Sequence, residues 1–276
     1  MAADERNCPS INFKSLPEER DDIYTYHFFT KGGSILLNRQ GIGEGVLHFF
    51  FPQNCLNCKK YITESAGYPL CKDCEEMIRK EISPYCLICG RPVPSNRQTK
   101  CRRCREKPFT FDCARAVTLY EPPIKSAIHA FKYRKILSLR ILFIHLLVEF
   151  LSSNPFFRDI DGILPVPLHQ SRLREREFNQ AEILARGISN FLQKPLISNT
   201  VTRKKKTLPQ VGLSMKERRL NLQDAFRVEN EKSLAKKKIL IIDDVITSRS
   251  TVESLSTALR RVGSQTILVL ALATGK

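Results

Sequence analysis

Two sets of residues in this 276-residue chain have the types and spacing to do chemistry. The first is an adjacent pair of acids, Asp243 and Asp244. It follows Ile239-Leu240-Ile241-Ile242 and precedes the hydroxyl-rich turn Thr247-Ser248-Arg249-Ser250-Thr251. Four apolar residues without alternation, three of them β-branched, read as a strand buried on both faces of a parallel sheet. The acids then stand where that strand leaves the sheet, the end at which open α/β sheets bind ligands. Beyond the turn, Val252, Leu255, Leu259 and Val262 fall on one face of a helix. Hydroxyls and unpaired N–H groups at a helix start favour phosphate, and two carboxylates beside them suit ribose hydroxyls or Mg²⁺. A plainer reading of the same residues is a strand, a turn and a helix whose positive end is met by acids.

The second set is cysteine. Eight of the ten cysteines form four C-x-x-C pairs: Cys55/Cys58, Cys71/Cys74, Cys86/Cys89 and Cys101/Cys104. Two intervening residues let both sulfurs of a pair reach one metal from a tight turn, and two pairs complete a tetrahedral Cys₄ shell. The count allows two Zn²⁺ ions, or one with cysteines to spare. The pairing can follow sequence order or interleave. An iron–sulfur cluster fits less well, because ferredoxin spacings are absent. A redox dithiol fits less well again, because no thioredoxin-like βαβ pattern surrounds the pairs. A closed Cys₄ shell leaves no open position, so such zinc is expected to be structural. Cys8 and Cys113 stand outside the pattern.

Charge supplies a third signal. The formal net charge is +17, an excess that points to nucleic acid or phosphorylated ligands. Basic residues are dispersed, but three groups sit near the candidate chemistry. Lys132 lies late in a predicted helix. Arg172, Arg174 and Arg176 follow a strand that ends Pro165-Val166-Pro167. Lys204, Lys205 and Lys206 open a polar, basic stretch over 202–219 that reads as a long loop. Each is a candidate contact for pyrophosphate or a nucleic-acid backbone, and each also reads as solvated surface charge.

The elements that must position these groups fall into three regions. Residues 1–45 carry scattered prolines, glycines and a charged run, and read as a loosely ordered extension. Residues 46–110 hold the cysteine pairs. From 111 to 276 the texture is α/β, with strands expected at 114–120, 161–167, 224–229, 238–242 and 266–273 and helices between them. The first thirty residues lack an apolar core of the signal-peptide type, and the longest apolar runs, 46–51 and 141–151, are too short to span a bilayer. A cytoplasmic protein with reduced thiols is the expectation.

The stretch from Asp243 resembles the signature of type I phosphoribosyltransferases, D-D-V-x-T-T-G-x-T, matching at Asp243, Asp244, Val245, Thr247 and Thr251. Further motifs narrow the resemblance. They are Cys-Gly-Arg-Pro at 89–92, Phe131-Lys132-Tyr133, Pro-Val-Pro-Leu-His at 165–169, Phe-Asn-Gln-Ala at 178–181, and Pro-Gln-Val-Gly-Leu-Ser at 209–214. In this order and company they resemble the ComF family, also called ComFC or GntX-like, over roughly residues 46–273. The resemblance implies a zinc-finger module followed by a type I phosphoribosyltransferase-like parallel sheet flanked by helices. It implies binding of phosphoribosyl pyrophosphate (PRPP), with Mg²⁺, at Asp243, Asp244, Thr247, Ser248, Ser250 and Thr251. It further implies a role in natural transformation or DNA use, handling single-stranded DNA beside a helicase-like competence protein.

Two residues depart from the family pattern. Arg249 stands for the glycine of the phosphate turn, and Glu177 for a glycine before Phe-Asn-Gln. Glycine takes φ > 0 at no cost and lets backbone approach a ligand. Arg249 is therefore expected to weaken the PRPP site unless its own charge meets the phosphate. That leaves a DNA-handling protein that keeps a transferase fold as the first functional reading. A working phosphoribosyltransferase with a base or amine acceptor is the second, and a zinc-stabilised scaffold for a protein partner the third.

Overall fold

A computed structural model describes residues 54–62, 66–80, 84–94, 100–204 and 225–275. The expected extension at 1–45, the apolar segment at 46–51 and most of the 202–219 loop, including Lys205 and Lys206, lie outside the described residues. The helices α1 (Lys72–Glu76) and α2 (Arg102–Glu106) belong to the cysteine-rich region. Then follow β1 (Cys113–Leu119), α3 (Ile124–Tyr133), α4 (Arg140–Ser153), β2 (Gly162–Pro165), α5 (Gln170–Arg176), α6 (Gln180–Leu192), β3 (Val201–Arg203), β4 (Phe226–Val228), β5 (Lys238–Ile246), α7 (Ser250–Arg261) and β6 (Thr266–Thr274).

Four strands form one parallel sheet in the order β1-β6-β5-β2. The non-alternating apolar run in β5 is buried on both faces, as its composition demands. Leu240 and Ile242 join Leu268 and Leu270 of β6 against α3, α4 and α6, through Phe131, Phe143, Leu147 and Leu184. Ile239 and Ile241 join Ile267 and Val269 against Val252, Leu255 and Leu259 of α7. The strand expected at 224–229 is present as β4, but it pairs antiparallel with β3 in a separate two-stranded ribbon. That ribbon packs Val201 and Phe226 onto the α7 side of the core.

The cysteine-rich region is an internal repeat. Cys55 N–H bonds the Lys60 carbonyl, and Cys86 N–H bonds that of Arg91. Each knuckle turns through a residue of positive φ, Lys59 (66°) and Gly90 (63°). Each second pair begins a one-turn helix, with Cys71 and Cys101 just before α1 and α2. The two halves pack on opposite faces of the sheet: Cys55, Ile62, Tyr68 and Leu70 join the α3–α4 core, and Cys86, Ile88, Cys89 and Cys104 the α7 core.

Between them lies β1, an edge strand that is buried along its whole length. Its Ala114 N–H bonds Ile88 O at 2.8 Å, and Leu119 N–H bonds Arg79 O at 3.2 Å. Edge strands expose unpaired backbone groups, and here the cysteine-rich region meets two of them. Arg115, 1% exposed, adds bonds to Ala114 O and Leu87 O and lies over the Tyr85 ring. Cys113 is disulfide-bonded, a departure from the expectation of reduced thiols throughout. The eight paired cysteines are free.

Candidate functional site

The acid pair lies within β5 rather than beyond it. β2 ends with Pro165 opposite Ile242, whereas β6 continues to Thr274 opposite Ile246. Among the described residues, β5 from Asp243 onward has a strand neighbour on one side only, so the two carboxylates stand past the end of β2, at the carboxyl edge of the sheet. Successive side chains alternate between faces. Asp244 meets Lys132 of α3 at 2.7 Å, with the two side chains 13% and 15% exposed. Asp243 accepts a bond from the Asp244 N–H at 2.8 Å. Burial, and then the charge of Asp244, push the Asp243 carboxyl up to about 7, against the opposing pull of Lys132 and Arg203.

Arg203, at the end of β3, lies over the Phe226 ring, with its guanidinium 5.6 Å from the centroid. Burial lowers its pKa, the charge of Arg172 lowers it further, and Asp243 opposes them. Arg172 and Arg203 thus face the same field as the acids. Lys132, Arg172, Arg203 and the acid pair form a mixed-charge cluster at one end of the sheet. Other sequence candidates are placed differently. Arg174 is exposed, as is Lys204. Arg176 is 6% exposed, bonded to Gln180 Oε1 and Tyr133 OH. It holds α5, α6 and α3 together rather than facing solvent. Phe109 and Phe111 are buried and stack on each other at 4.6 Å; Tyr133 is 52% exposed.

The turn after β5 keeps a glycine-like backbone without glycine. Arg249 has φ 62° and ψ 2°. Glu177, the other departure, has φ 69° and closes α5. Both therefore adopt the left-handed conformation that glycine supplies more cheaply, at a cost of roughly 1–2 kcal/mol each. At Arg249 that cost is offset by contacts. The side chain is 2% exposed and donates to Thr247 O, to Cys89 O at 3.2 Å and to Thr274 Oγ1 at 2.9 Å. The guanidinium is thus spent on the second cysteine knuckle and the end of β6. Ser248 and Ser250 are buried in the turn, Thr247 is exposed, and Ser250 N–H lies 3.4 Å from Ser248 Oγ. The α7 helix starts directly from it, at Ser250. Arg103, a basic residue of α2 that is not among the candidates read from the sequence, donates to Ser248 O at 3.3 Å. Its only signal in the sequence was its place beside Cys104.

The cysteines assemble in sequence order: Cys55, Cys58, Cys71 and Cys74 in one cluster, and Cys86, Cys89, Cys101 and Cys104 in the other. All sulfurs of a cluster lie within 4.8 Å of one another. A tetrahedron of thiolates on Zn²⁺ has sulfur–sulfur edges of about 3.8 Å, given a Zn–S bond of about 2.3 Å. Cys58–Cys71 at 3.6 Å and Cys89–Cys101 at 3.8 Å match that edge. Backbone N–H groups also point at sulfur, Cys71 N–H to Cys55 Sγ and Cys101 N–H to Cys86 Sγ, at 3.5 and 3.2 Å. The donor set and its spacing fit two zinc ions, with no fourth position left for a substrate.

Residues 46–105 match the family model described as a double zinc ribbon domain. Competence protein F of Haemophilus influenzae is 32% identical over 228 residues, which cover 81% of this chain and 98% of that protein. The chain belongs to the ComF family. The DNA utilization protein YhgH of Salmonella typhimurium is 30% identical, over 79% of this chain and 95% of its own length. Competence protein ComFC of Bacillus subtilis is 28% identical, over 66% and 74%. Among solved structures, the glutamine PRPP amidotransferase of B. subtilis aligns with 41% of this chain and 22% of its own, at 16% identity and a TM-score of 0.29, too loose a likeness to carry weight. Among the described residues of this ComF-family chain, no helix is long and apolar enough to cross a membrane.

Proposed function

We propose that this protein serves DNA uptake or the use of DNA by handling single-stranded DNA in the cytoplasm, and that its β5 exit holds PRPP with Mg²⁺. The role in DNA is supported by the relatives, named as competence and DNA utilization proteins, and by the net charge of +17. The PRPP reading rests on one observation above the rest: the turn at 247–251 keeps its left-handed residue while sending the Arg249 side chain away to Cys89. The departure that argued against a phosphate site is thereby absorbed. Asp243 and Asp244 would hold ribose hydroxyls or Mg²⁺, the turn the 5′-phosphate, and Arg172 and Arg203 the pyrophosphate. Handling DNA beside a helicase-like competence protein belongs to the same proposal.

Calorimetric titration with PRPP–Mg²⁺ and with a single-stranded oligonucleotide tests it. A proton on Asp243 opposes the cation, so PRPP–Mg²⁺ affinity is expected to rise about tenfold from pH 6 to pH 8 for a carboxyl titrating near 7. No binding at pH 8 refutes the PRPP part; no binding of DNA at low salt refutes the DNA part. The second reading, transfer of the phosphoribosyl group to a base or amine, is favoured by the intact acid pair and turn. It requires pyrophosphate release when acceptor is added.

A further inference from the structure

The second Cys₄ cluster and the turn at 247–251 are tied from both sides. Arg249 leaves the turn and donates to Cys89 O inside the knuckle. Arg103 leaves the metal-site helix α2 and donates to Ser248 O inside the turn. Thr110, at the exit of the cysteine-rich region, binds the first helical turn behind them: its N–H and hydroxyl both reach Glu253 Oε2, at 2.9 and 3.1 Å. The first cluster has no counterpart of this among the described residues. It packs on the other face of the sheet, with Asn57 and Ser126 of α3 bonded nearby at 3.4 Å.

A Zn(Cys)₄ centre carries a formal charge of −2, which in a buried setting calls for nearby donors or cations. At the second cluster two buried arginines face the knuckle backbone, Arg115 at Leu87 O and Arg249 at Cys89 O. Arg249 therefore has a reason to replace glycine that does not involve phosphate. It gives up a cheap turn to compensate and brace the metal centre.

We infer that Arg249 is a positioning residue that makes metal loading of Cys86, Cys89, Cys101 and Cys104 set the shape of the phosphate turn, while loading of the first cluster does not. The inference rests on the reading of that turn as a phosphate site for its ligand arm, and on the zinc–turn contacts alone for its other arm. Coupling of this kind is reciprocal. If an intact second centre favours the ligand-ready turn, a bound ligand must retain the second metal.

The test uses the full chain loaded with zinc and follows zinc release to a chromogenic chelator, which resolves the two sites as two phases. Arg249→Gly keeps the left-handed turn free of strain and removes the side chain with its guanidinium. It is expected to speed one phase by about tenfold or more, the worth of a lost charge-assisted hydrogen bond, and to leave the other phase unchanged. Cys58→Ser, which removes a ligand of the first cluster, assigns the phases by abolishing the one that Arg249→Gly does not touch. Arg249→Lys keeps the charge but loses the fork, and is expected to fall between. In the unsubstituted protein, PRPP–Mg²⁺ is expected to slow the same phase that Arg249→Gly speeds. Unchanged phases in a folded Arg249→Gly chain overturn the inference, as does bound PRPP that retains neither metal. If PRPP fails to bind while Arg249→Gly still speeds one phase, the phosphate reading falls and the brace between metal and turn stands.

Discussion

Replacing Lys132 by alanine tests the electrostatics of the site without any ligand. The ammonium sits 2.7 Å from Asp244, and neither side chain is more than 15% exposed. Removing one member of a buried ion pair costs about 3–5 kcal/mol, and an exposed pair is worth only about 0–1 kcal/mol. This pair lies nearer the buried limit, so Lys132→Ala is expected to cost about 3 kcal/mol at pH 8. With a urea dependence of about 1–3 kcal/mol per molar, the midpoint falls by about 1–3 M. The loss must depend on pH. Asp243 titrates near 7 in the folded chain, pushed up by burial and by Asp244, against about 4 unfolded. Between those values the folded chain holds the extra proton, so stability falls as pH rises through the window. Without Lys132 the acid pair keeps that proton to still higher pH. The penalty at pH 5.5 is therefore expected to be smaller than that at pH 8 by up to about 1.4 kcal/mol, one proton's worth for a carboxyl titrating near 7. Urea unfolding of the zinc-loaded chain at both pH values measures it, with Lys132→Ala/Asp244→Asn as the partial rescue. An equal loss at the two pH values, or a loss below about 0.5 kcal/mol at pH 8, refutes the account.

Elemental analysis of the purified chain is expected to find about two zinc ions and no iron, and chelation should unfold the cysteine-rich region, because thiolate–metal bonds supply much of its folding energy. Gly90→Ala is expected to destabilise the second knuckle by roughly 2 kcal/mol or more, since φ is 63° and a Cβ would meet Ala114 O at 2.5 Å; a thermal midpoint unchanged by the substitution would contradict that contact. Single-stranded DNA affinity is expected to fall steeply with salt, and neutralising Lys204, Lys205 and Lys206 together should flatten the slope by up to about two units of log K against log salt. Affinity indifferent to salt would remove phosphate contact from the explanation.

What was legible in the sequence was local. The unbroken run Ile239–Ile242 specified a strand buried on both faces, and the four C-x-x-C pairs specified metal ligands. The place where β5 ends was not legible, because neighbours decide it: β6 stays in register to Thr274 while β2 stops at Pro165. The pairing of the cysteines was also open, since two similar spacers allow either order. It is settled by α1 and α2, each of which turns its own second pair back onto its own knuckle. Arg176 reads as one charge in a basic run, yet α5 ends in a left-handed residue one position later, and the chain folds the guanidinium onto Gln180 and Tyr133. The compensation at Arg249 was beyond reach, for its partner Cys89 lies 160 residues away in the chain.

The same long-range contacts explain why a double zinc ribbon is joined to this sheet at all. A parallel sheet needs helices on both faces and cover for its edges. The edge at β2 is met by the chain itself, through Ile163 N–H to Pro195 O and Ile197 N–H to Ile163 O. The edge at β1 receives Ile88 O and Arg79 O from the cysteine-rich region, whose two halves then divide between the two faces. Each ribbon is too small to bury its own apolar residues: α1 and α2 are five residues each. Metal at the two Cys₄ clusters would fix the knuckles, and the sheet supplies the core they lack. The arrangement makes the ribbon and the sheet mutually dependent, with β1 as the shared element. Replacing Arg115 by methionine, which keeps an unbranched apolar stem but loses the bonds to Leu87 O and Ala114 O, should therefore loosen both at once. Hydrogen exchange of the zinc-loaded variant is expected to show lost protection at Ala114 and at the 86–91 knuckle together. Loss at the knuckle with β1 unaffected would mean that the ribbon is an appendage, and that the sheet holds its edge without it.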